Sequence, residues 1–390
     1  MFHVAGEEDI KAGRTTDVYF LNTVRVLREK GIRRQVVAEV SCSTMRHPWG
    51  VLAGVEEAAR LLEGCDVSVD AMPEGSIFFP GEPVMRISGE YTEFAVLETP
   101  LLGMLCQASG IATKAARFRL AAGDRLLLSF GIRRLHPAIA PMIDRSAYIG
   151  GCDGFSGVAA EKLTGIPARG TMPHALVIVV GDQRLAWRYF DELMPEEVPR
   201  IALVDTYCDE KWEAVKAAES VRRLEAVRLD TPASRRGDLA RIVEEVRWEL
   251  DVRGYRHVKI FVSGGIEEED VLRLKQVDGF GVGTSISSAP PIDFALDIVE
   301  VEGTPAAKRG KRSMAKSVLR CRRCMRSEVV LRGESGRCGG CGEEMEEMLQ
   351  PLIRDGRLVR ELPSAQEIRR YVLEQLEALR GGDVVENSAG

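Results

Sequence analysis

Strand-like and helix-like segments alternate along one long stretch of the chain, from Arg125 to Thr284. Short apolar or β-branched runs are separated by longer segments in which apolar residues recur at helical spacing. This alternation is typical of β-α-β units that build a parallel sheet. It predicts an α/β fold with an incomplete (β/α) barrel of about seven strands. The predicted strands are Arg125–Phe130, Tyr148–Cys152, Pro167–Thr171, Arg200–Val204, Ala226–Leu229, His257–Val262 and Asp278–Val282.

Four segments follow from this organisation. Residues 1–112 carry mixed helix and strand signals and predict an N-terminal β-rich α+β domain. Residues 113–285 contain the barrel, and residues 286–316 predict a return segment that packs on the N-terminal domain. Residues 317–390 predict a small C-terminal zinc-binding module followed by a frayed tail.

Local signals predict the first elements of the N-terminal domain. They indicate a helix over Val18–Glu29, a strand over Gln35–Val40 and a second helix over Gly50–Leu62. Phe94–Gly110 has the composition of a long apolar helix. Pro100 predicts a kink or break within it, because proline lacks a backbone N–H.

Charge and hydropathy narrow the class of protein. The chain has 53 basic and 59 acidic side chains and a net charge of −6, which gives no overall footprint for nucleic acid. The first ten residues lack the basic start and apolar run of a signal peptide, and no segment approaches the roughly 20 apolar residues of a membrane span. We therefore expect a cytoplasmic enzyme that acts on small molecules rather than on membranes or nucleic acid.

Two Cys-x-x-Cys pairs, Cys321/Cys324 and Cys338/Cys341, are separated by 13 residues. Each pair can place two thiolates on one cation, so the spacing predicts a closed four-cysteine site for structural zinc. Disulfides or a rubredoxin-like iron are the alternatives. Neighbouring arginines also allow a zinc ribbon that binds nucleic acid, but four nearby glutamates offset their charge. This balance favours a role in packing or oligomerisation.

Two glycine turns, Gly264-Gly265 and Gly283-Thr284, follow successive predicted strands. Exposed backbone N–H groups at such turns can cradle a phosphate, as they do in many α/β barrels. The same glycines could equally serve only as turns.

Three further polar residues follow strand ends. Asp205 and Asp230 are placed to hold a ribose hydroxyl or a magnesium ion, and helix capping is the alternative role. His174 follows a predicted strand at the point where a helix begins. It is either a site residue or a structural histidine.

Longer motifs surround these residues: Ser129-Phe-Gly-Ile-Arg133-Arg134, Gly151-Cys-Asp-Gly154, Gly170-Thr-Met-Pro-His174, Leu203-Val-Asp205-Thr206-Tyr207 and Val227-Arg228-Leu-Asp230. In this order, and with the two glycine turns, they resemble the nicotinate phosphoribosyltransferases. Thr16-Asp17-Val-Tyr19 and Ala307-Lys-Arg-Gly-Lys-Arg-Ser313 extend the resemblance over residues 15–313. The cysteine module resembles the C-terminal extension of the compact archaeal branch of that family.

The resemblance implies an enzyme that joins nicotinate to phosphoribosyl pyrophosphate, releasing pyrophosphate and forming nicotinate mononucleotide for NAD synthesis. It also implies magnesium and ATP, which is hydrolysed through a transient phosphohistidine at His174. Phe130 would stack on the pyridine ring, and Tyr19 from a neighbouring subunit of a homo-oligomer would cover its other face. Arg133, with Arg134, would pair with the carboxylate, whose shape a guanidinium group matches.

The same resemblance implies a site for the phosphoribosyl group. Arg228 and Asp230 would hold the ribose and phosphates, with Asp205 and Thr206 beside them. The residues implied to cradle the 5′-phosphate are Gly264, Gly265, Gly283 and Thr284.

Two questions stay open at the level of sequence. Quinolinate phosphoribosyltransferase shares the architecture but decarboxylates its base without ATP, and it would need a more basic pocket than Arg133 and Arg134 provide. Many relatives have an arginine after an early strand where this chain has Ser41-Cys-Ser-Thr-Met45. Arg46 and His47 lie just beyond this segment, and the basic residue that reaches the pyrophosphate from that side is therefore not identified.

Overall fold

The structure, a computed structural model, describes residues 2–235 and 237–381. It contains two compact units, and the first of the two chain boundaries between them falls within one long helix. One unit comprises the chain up to Thr113 together with the chain from Pro290 onward, and the other comprises Lys114–Ala289. Most of the predicted C-terminal tail lies outside the described residues.

The secondary structure consists of strands β1–β18 and helices α1–α14, joined by loops and by short 3-10 turns. The strands are β1 (Gln35–Ser41), β2 (Gly50–Val51), β3 (Val67–Ala71), β4 (Ile77–Phe78), β5 (Pro83–Glu90), β6 (Leu126–Ser129), β7 (Gly154–Phe155), β8 (Ile201–Leu203), β9 (Ala226–Leu229), β10 (Lys259–Val262), β11 (Gly279–Val282), β12 (Ala295–Val301), β13 (Thr304–Pro305), β14 (Lys316–Arg320), β15 (Ser327–Leu331), β16 (Glu346–Glu347), β17 (Gln350–Arg354) and β18 (Arg357–Leu358). The helices are α1 (Glu7–Lys11), α2 (Val18–Glu29), α3 (Val55–Leu62), α4 (Tyr91–Phe94), α5 (Glu98–Ala122), α6 (Ala140–Ile149), α7 (Glu161–Thr164), α8 (His174–Val180), α9 (Gln183–Leu193), α10 (Glu210–Ser220), α11 (Leu239–Val252), α12 (Glu268–Arg273), α13 (Thr284–Ser287) and α14 (Ala365–Gly381).

The unit Lys114–Ala289 is built on a curled parallel sheet that forms a half-barrel. Within the described part of the chain its strand order is β7-β6-β11-β10-β9-β8, and every neighbouring pair is parallel. Strand residues such as Leu127, Val227, Ile260 and Val282 are fully buried, as expected when helices cover a parallel sheet. The predicted incomplete barrel is thus present, with six strands rather than seven.

Two of the predicted strands are wrong. Tyr148–Cys152 forms the end of α6 and a turn, and the strand begins two residues later, at Gly154. Pro167–Thr171 forms no ladder: its link to β7 is one hydrogen bond from the Arg169 N–H to the Phe155 carbonyl (2.7 Å). Pro167 has no N–H, and the Ala168 N–H donates to the side chain of Glu161 (2.8 Å). Too few backbone donors remain for regular pairing.

The other unit contains a seven-stranded sheet in the order β13-β12-β1-β5-β3-β17-β18. Strand β1 lies between β12 and β5, and both pairings are antiparallel. The predicted helix over Gly50–Leu62 is wrong in its first part, because Gly50–Val51 forms β2. Helix α3 begins only at Val55, after Gly54 with φ +86°. A Cβ on Gly54 would lie 2.6 Å from the Met104 carbonyl oxygen, so this close approach requires glycine.

Pro100 does not break a helix, contrary to the prediction. It lies in the first turn of α5, where N–H groups have no intrahelical partner, and a 3-10 turn over Ala95–Leu97 precedes it. Among the described residues, the helical run Tyr91–Ala122 is long and apolar enough to cross a membrane by length and composition alone, and half of its most apolar window is buried inside the protein.

Candidate active site

The carboxyl ends of β6, β9, β10 and β11 open into a cleft of about 810 Å³. This is the end of a parallel sheet at which α/β enzymes place their chemistry. Ten residues predicted from the sequence line the cleft: Phe130, Arg133, Arg134, His174, Arg228, Asp230, Gly264, Gly265, Gly283 and Thr284.

His174 is the first residue of α8 and is surrounded by three hydrogen-bonding or charged groups. Its Nδ1 lies 3.1 Å from the Thr206 hydroxyl. Its Nε2 lies 3.7 Å from a carboxylate oxygen of Asp230 and 3.8 Å from one of Asp205. The imidazole is 37% exposed, so a ligand in the cleft can reach it while the protein fixes its orientation.

Asp205 is buried behind the histidine, with a side chain only 2% exposed. One carboxylate oxygen accepts hydrogen bonds from the Asp230 N–H and the Thr231 hydroxyl (both 3.2 Å). The other oxygen has no hydrogen-bond partner among the residues that the structure describes. Burial raises the pKa of Asp205 to about 6, against the opposing effect of nearby His174. The carboxylate therefore takes up a proton in weakly acidic solution.

The alternative role of helix capping does not apply to these two aspartates. Asp209 is the N-cap of α10 and accepts the Lys211 N–H at 3.0 Å. Asp230 accepts a hydrogen bond from the Ser263 hydroxyl (2.7 Å), and Asp238 caps the next helix. Asp205 and Asp230 thus make their hydrogen bonds near the cleft rather than at the start of a helix.

Arg228 extends from β9 into the cleft. Its guanidinium lies 3.3 Å from the Met172 carbonyl and 3.8 Å from the Asp230 carboxylate. Burial lowers its pKa, and its Nε has no hydrogen-bond partner in the described part of the chain. A buried guanidinium with a donor to spare fits an anionic ligand.

The two glycine turns border the same cleft. Gly264 and Gly265 have φ values of +85° and +69°, and a Cβ on Gly264 would lie 2.8 Å from the Asp230 carbonyl oxygen. A Cβ on Gly281 would lie 2.5 Å from the Phe130 ring. Glycine at position 264 is therefore needed for the backbone conformation of the first turn. Glycine at position 281 is needed to leave room for the Phe130 ring.

Two predicted elements of the site belong to the other unit. Tyr19 lies on α2 with a 57% exposed side chain, and its hydroxyl donates to Asp17 (3.3 Å). In the basic run, Lys308 and Lys311 pair with Asp297 at 2.8 and 2.9 Å. Lys311 also donates to the Ser43 hydroxyl at 3.2 Å, which makes it a candidate for the basic group missing from the Ser41–Met45 turn.

Two buried acidic residues near the cleft were not identified by reasoning from the sequence. Asp144 accepts hydrogen bonds from the Ser129 hydroxyl (3.0 Å) and the Gly157 N–H (2.9 Å), and burial raises its pKa to about 6. Glu213 is fully buried behind the loop that follows β8. Both residues lie on helices, where the sequence gives no signal that separates them from surface carboxylates.

The four predicted cysteine ligands lie together in the other unit. Their sulfur atoms are all within 4.8 Å of one another, with Cys321–Cys341 and Cys324–Cys338 separations of 3.4 Å. Tetrahedral zinc with bonds of about 2.3 Å places sulfurs about 3.8 Å apart. The cluster therefore has the size and donor chemistry to hold one metal ion.

Comparison with known proteins identifies the relatives of this chain. Models of the N-terminal and C-terminal domains of quinolinate phosphoribosyl transferase match residues 17–109 and 111–297. The model of the nicotinate phosphoribosyltransferase C-terminal domain matches residues 335–382. A nicotinate phosphoribosyltransferase of Mycobacterium tuberculosis is 33% identical over 331 residues, which cover 80% of this chain and 72% of that protein. The chain belongs to the nicotinate phosphoribosyltransferase family.

Two solved structures share the fold of this chain. A nicotinate-nucleotide pyrophosphorylase from Pyrococcus furiosus is 58% identical, with a TM-score of 0.96 over 97% of this chain and 98% of that one. Human nicotinic acid phosphoribosyltransferase aligns with a TM-score of 0.76 over 93% and 94% of the two chains. At 23% identity the human enzyme shows a shared fold alone. Membership of the nicotinate phosphoribosyltransferases identifies the chain as an enzyme of this type.

Proposed function

We propose that this chain synthesises nicotinate mononucleotide from nicotinate and phosphoribosyl pyrophosphate and couples the synthesis to ATP hydrolysis through a phosphohistidine at His174. The observation that carries the proposal is one cleft that combines a histidine flanked by two carboxylates with an aromatic ring and an arginine pair. The histidine is suited to phosphoryl transfer. The ring and the arginines are suited to a planar acid.

Nicotinate would bind at the end of β6. Phe130 gives an aromatic face, and the exposed Arg133 and Arg134 follow on a 3-10 turn. One guanidinium can pair with a carboxylate through two parallel hydrogen bonds. Tyr19 of a neighbouring subunit would cover the other face of the pyridine ring, so the proposal includes a homo-oligomer.

Phosphoribosyl pyrophosphate would bind across the other strand ends. Arg228 and Asp230 would hold the ribose and phosphates, and the backbone of the glycine turns would cradle the 5′-phosphate. Asp205, with its free carboxylate oxygen, and Asp230 are the residues that would hold magnesium, which would stabilise the departing pyrophosphate. Charge develops at the anomeric carbon, so positioning and electrostatics would supply most of the catalysis.

His174 would accept the γ-phosphoryl group of ATP, with release of ADP, and later lose it to water. Thr206 and the two aspartates would hold the ring in place during both steps. The four-cysteine cluster, whose ligands leave no open coordination position, would hold zinc in a structural role. An enzyme of NAD synthesis with these substrates would work in the cytoplasm.

Quinolinate is the second candidate substrate, because models of quinolinate phosphoribosyl transferase domains match both main parts of the chain. Quinolinate carries two adjacent carboxylates that both require neutralisation. The 3-10 turn that follows β6 carries two exposed arginines, Arg133 and Arg134, and this pair suits a single carboxylate better. The quinolinate reaction requires no histidine phosphorylation, so it gives His174 no catalytic role.

A substrate panel separates these candidates. With phosphoribosyl pyrophosphate and magnesium, we expect the enzyme to convert nicotinate and to leave quinolinate and nicotinamide unchanged, and ATP should accelerate the nicotinate reaction. Products are followed by chromatography of the mononucleotide and by release of pyrophosphate. Turnover of quinolinate alone, with release of carbon dioxide, would reject the proposal in favour of the second candidate.

Arg133→Ala tests the carboxylate site. Losing a charge-assisted hydrogen bond costs about 1.5–3 kcal/mol, so the KM for nicotinate should rise about 10-fold to 100-fold while the KM for phosphoribosyl pyrophosphate changes little. Arg188→Ala, at an exposed position on α9, is the matched control and should leave both constants unchanged. Equal KM values for nicotinate in Arg133→Ala and wild type would remove Arg133 from this role.

A further inference from the structure

Glu213 carries a buried carboxylate that takes no part in the proposed reaction. It lies on α10 and accepts the backbone N–H groups of Thr206 (3.0 Å), Tyr207 (2.9 Å) and Cys208 (2.6 Å). The side-chain amide of Gln183, at the start of α9, donates a fourth hydrogen bond. Consecutive backbone N–H groups that converge on one point form an anion cradle. Here the chain fills the cradle with its own carboxylate.

Helix capping does not explain this arrangement. The N-cap of α10 is Asp209, whose carboxylate accepts the N–H groups of Lys211 and Trp212 at 3.0 and 3.3 Å. Glu213 instead bonds to N–H groups that precede the helix, in the loop after β8. A buried carboxylate is costly unless it is fully hydrogen-bonded, so its four donors show that this loop is held in one conformation.

The loop held by Glu213 is the one that contacts His174. The Thr206 N–H donates a hydrogen bond to the Glu213 carboxylate, and the Thr206 hydroxyl lies 3.1 Å from Nδ1 of the histidine. A chain of contacts therefore runs from Gln183 through Glu213 and Thr206 to His174, all within the half-barrel unit. The opposite ring nitrogen faces Asp205 and is thereby oriented as well.

We propose that Glu213, supported by Gln183, is a positioning residue for His174. It holds the Thr206 hydroxyl against Nδ1 and so fixes the ring for its reaction with ATP. This inference rests on the proposed function of His174. Because the proposed nicotinate site lies at the end of β6, loss of Glu213 should change the ATP-dependent kcat rather than the KM for nicotinate.

Glu213→Gln is the direct test, because glutamine keeps the size of the side chain but replaces one acceptor oxygen with a donor. We expect the ATP-dependent kcat to fall on the order of 10-fold to 100-fold, by analogy with the range for residues that orient metal-ligating histidines. The KM for nicotinate should stay unchanged. Glu219→Gln, on the same helix with a side chain 50% exposed, is the matched control. If circular dichroism shows that Glu213→Gln is unfolded, the same kinetics are measured for Gln183→Leu, for which we expect a smaller decrease in kcat.

A double-mutant cycle tests the route of the effect. Thr206→Val removes the hydroxyl that contacts His174, so the Glu213→Gln/Thr206→Val double variant should lose no more kcat than Thr206→Val alone. Additive losses would overturn the inference, and so would folded Glu213→Gln and Gln183→Leu variants with wild-type kcat. If His174→Ala itself keeps its stimulation by ATP, the proposed function of the histidine fails and the inference fails with it. Loss of stimulation in His174→Ala but not in Glu213→Gln rejects the inference alone.

Discussion

His174→Ala is expected to abolish the stimulation of nicotinate mononucleotide synthesis by ATP, while a slower, ATP-independent synthesis persists. Alanine removes both ring nitrogens, so no phosphoryl acceptor remains between Asp205 and Asp230. The proposed binding groups for nicotinate and for the phosphoribosyl moiety stay in the cleft. Positioning of the two substrates and electrostatic stabilisation should therefore still support reaction.

The measurement compares initial rates with and without ATP and adds a labelling experiment with γ-³²P-ATP. Wild-type enzyme should acquire an acid-labile, base-stable label, and His174→Ala should acquire none. His257→Ala, at an exposed position just before β10, is the matched control and should keep both the label and the stimulation. An alanine variant at position 174 that still couples ATP hydrolysis to synthesis would assign the phosphoryl acceptor elsewhere.

Removing the metal from the four-cysteine cluster is expected to unfold the surrounding module. Among the described residues, the apolar cluster there consists of buried Leu319, Cys321, Cys338 and Met345, with Cys324, Val330 and Cys341 partly buried against it. This core is too small to stabilise three short strands. Structural zinc contributes about 10–16 kcal/mol to the folding of zinc-finger peptides. The metal should therefore supply most of the stability of this module.

The loss of stability should extend beyond the module, because Arg320 at the end of β14 contacts residues outside it. This guanidinium is 3% exposed and pairs with the equally buried Glu82 at 2.7 Å, and it donates to the Ile77 carbonyl. Breaking a buried ion pair by removing one partner costs about 3–5 kcal/mol. Unfolding of the module would leave Glu82 in that state and destabilise the sheet-containing unit to which it belongs.

Cys338→Ser and strong chelators provide the test. Each kcal/mol lost lowers Tm by about 2–4 °C for a unit of this size, so a decrease of roughly 10 °C or more is expected. Elemental analysis should find about one zinc per wild-type chain and almost none in Cys338→Ser. Cys208→Ser, which changes an exposed cysteine outside the cluster, should keep the metal and the Tm. Unchanged Tm after complete removal of the metal would contradict a structural role.

The sequence predicted the parts of this protein that depend on local pattern. Five of the seven predicted strands match β6 and β8–β11, because their apolar runs are bounded by polar residues and followed by helical spacing. The shared edge of a parallel sheet then brings Phe130 and Asp230 to one cleft although they are far apart in the chain, and His174 joins them from the start of α8. Their individual roles stay predictions.

What the sequence could not give depends on contacts made only after folding. The extended run from Pro167 reads as a strand, and only the structure shows that the Ala168 N–H is diverted to Glu161. Glu213 and Asp144 read as ordinary helix carboxylates, because their burial is set by loops from elsewhere in the half-barrel. The pairing of β1 with β12 joins residues more than 250 positions apart, which no local pattern can indicate.

That pairing has a consequence for the order in which a newly made chain can fold. Strands β12 and β13 complete one edge of the seven-stranded sheet and β17 and β18 complete the other. During synthesis the outer edges of the early strands β1 and β3 must therefore wait for residues up to Leu358. The half-barrel strands, in contrast, all lie between Leu126 and Val282, so they are all synthesised before β12. Pairings between distant segments form slowly. We therefore expect the unit made first to be completed last, with the outer edges of β1 and β3 unpaired for most of translation.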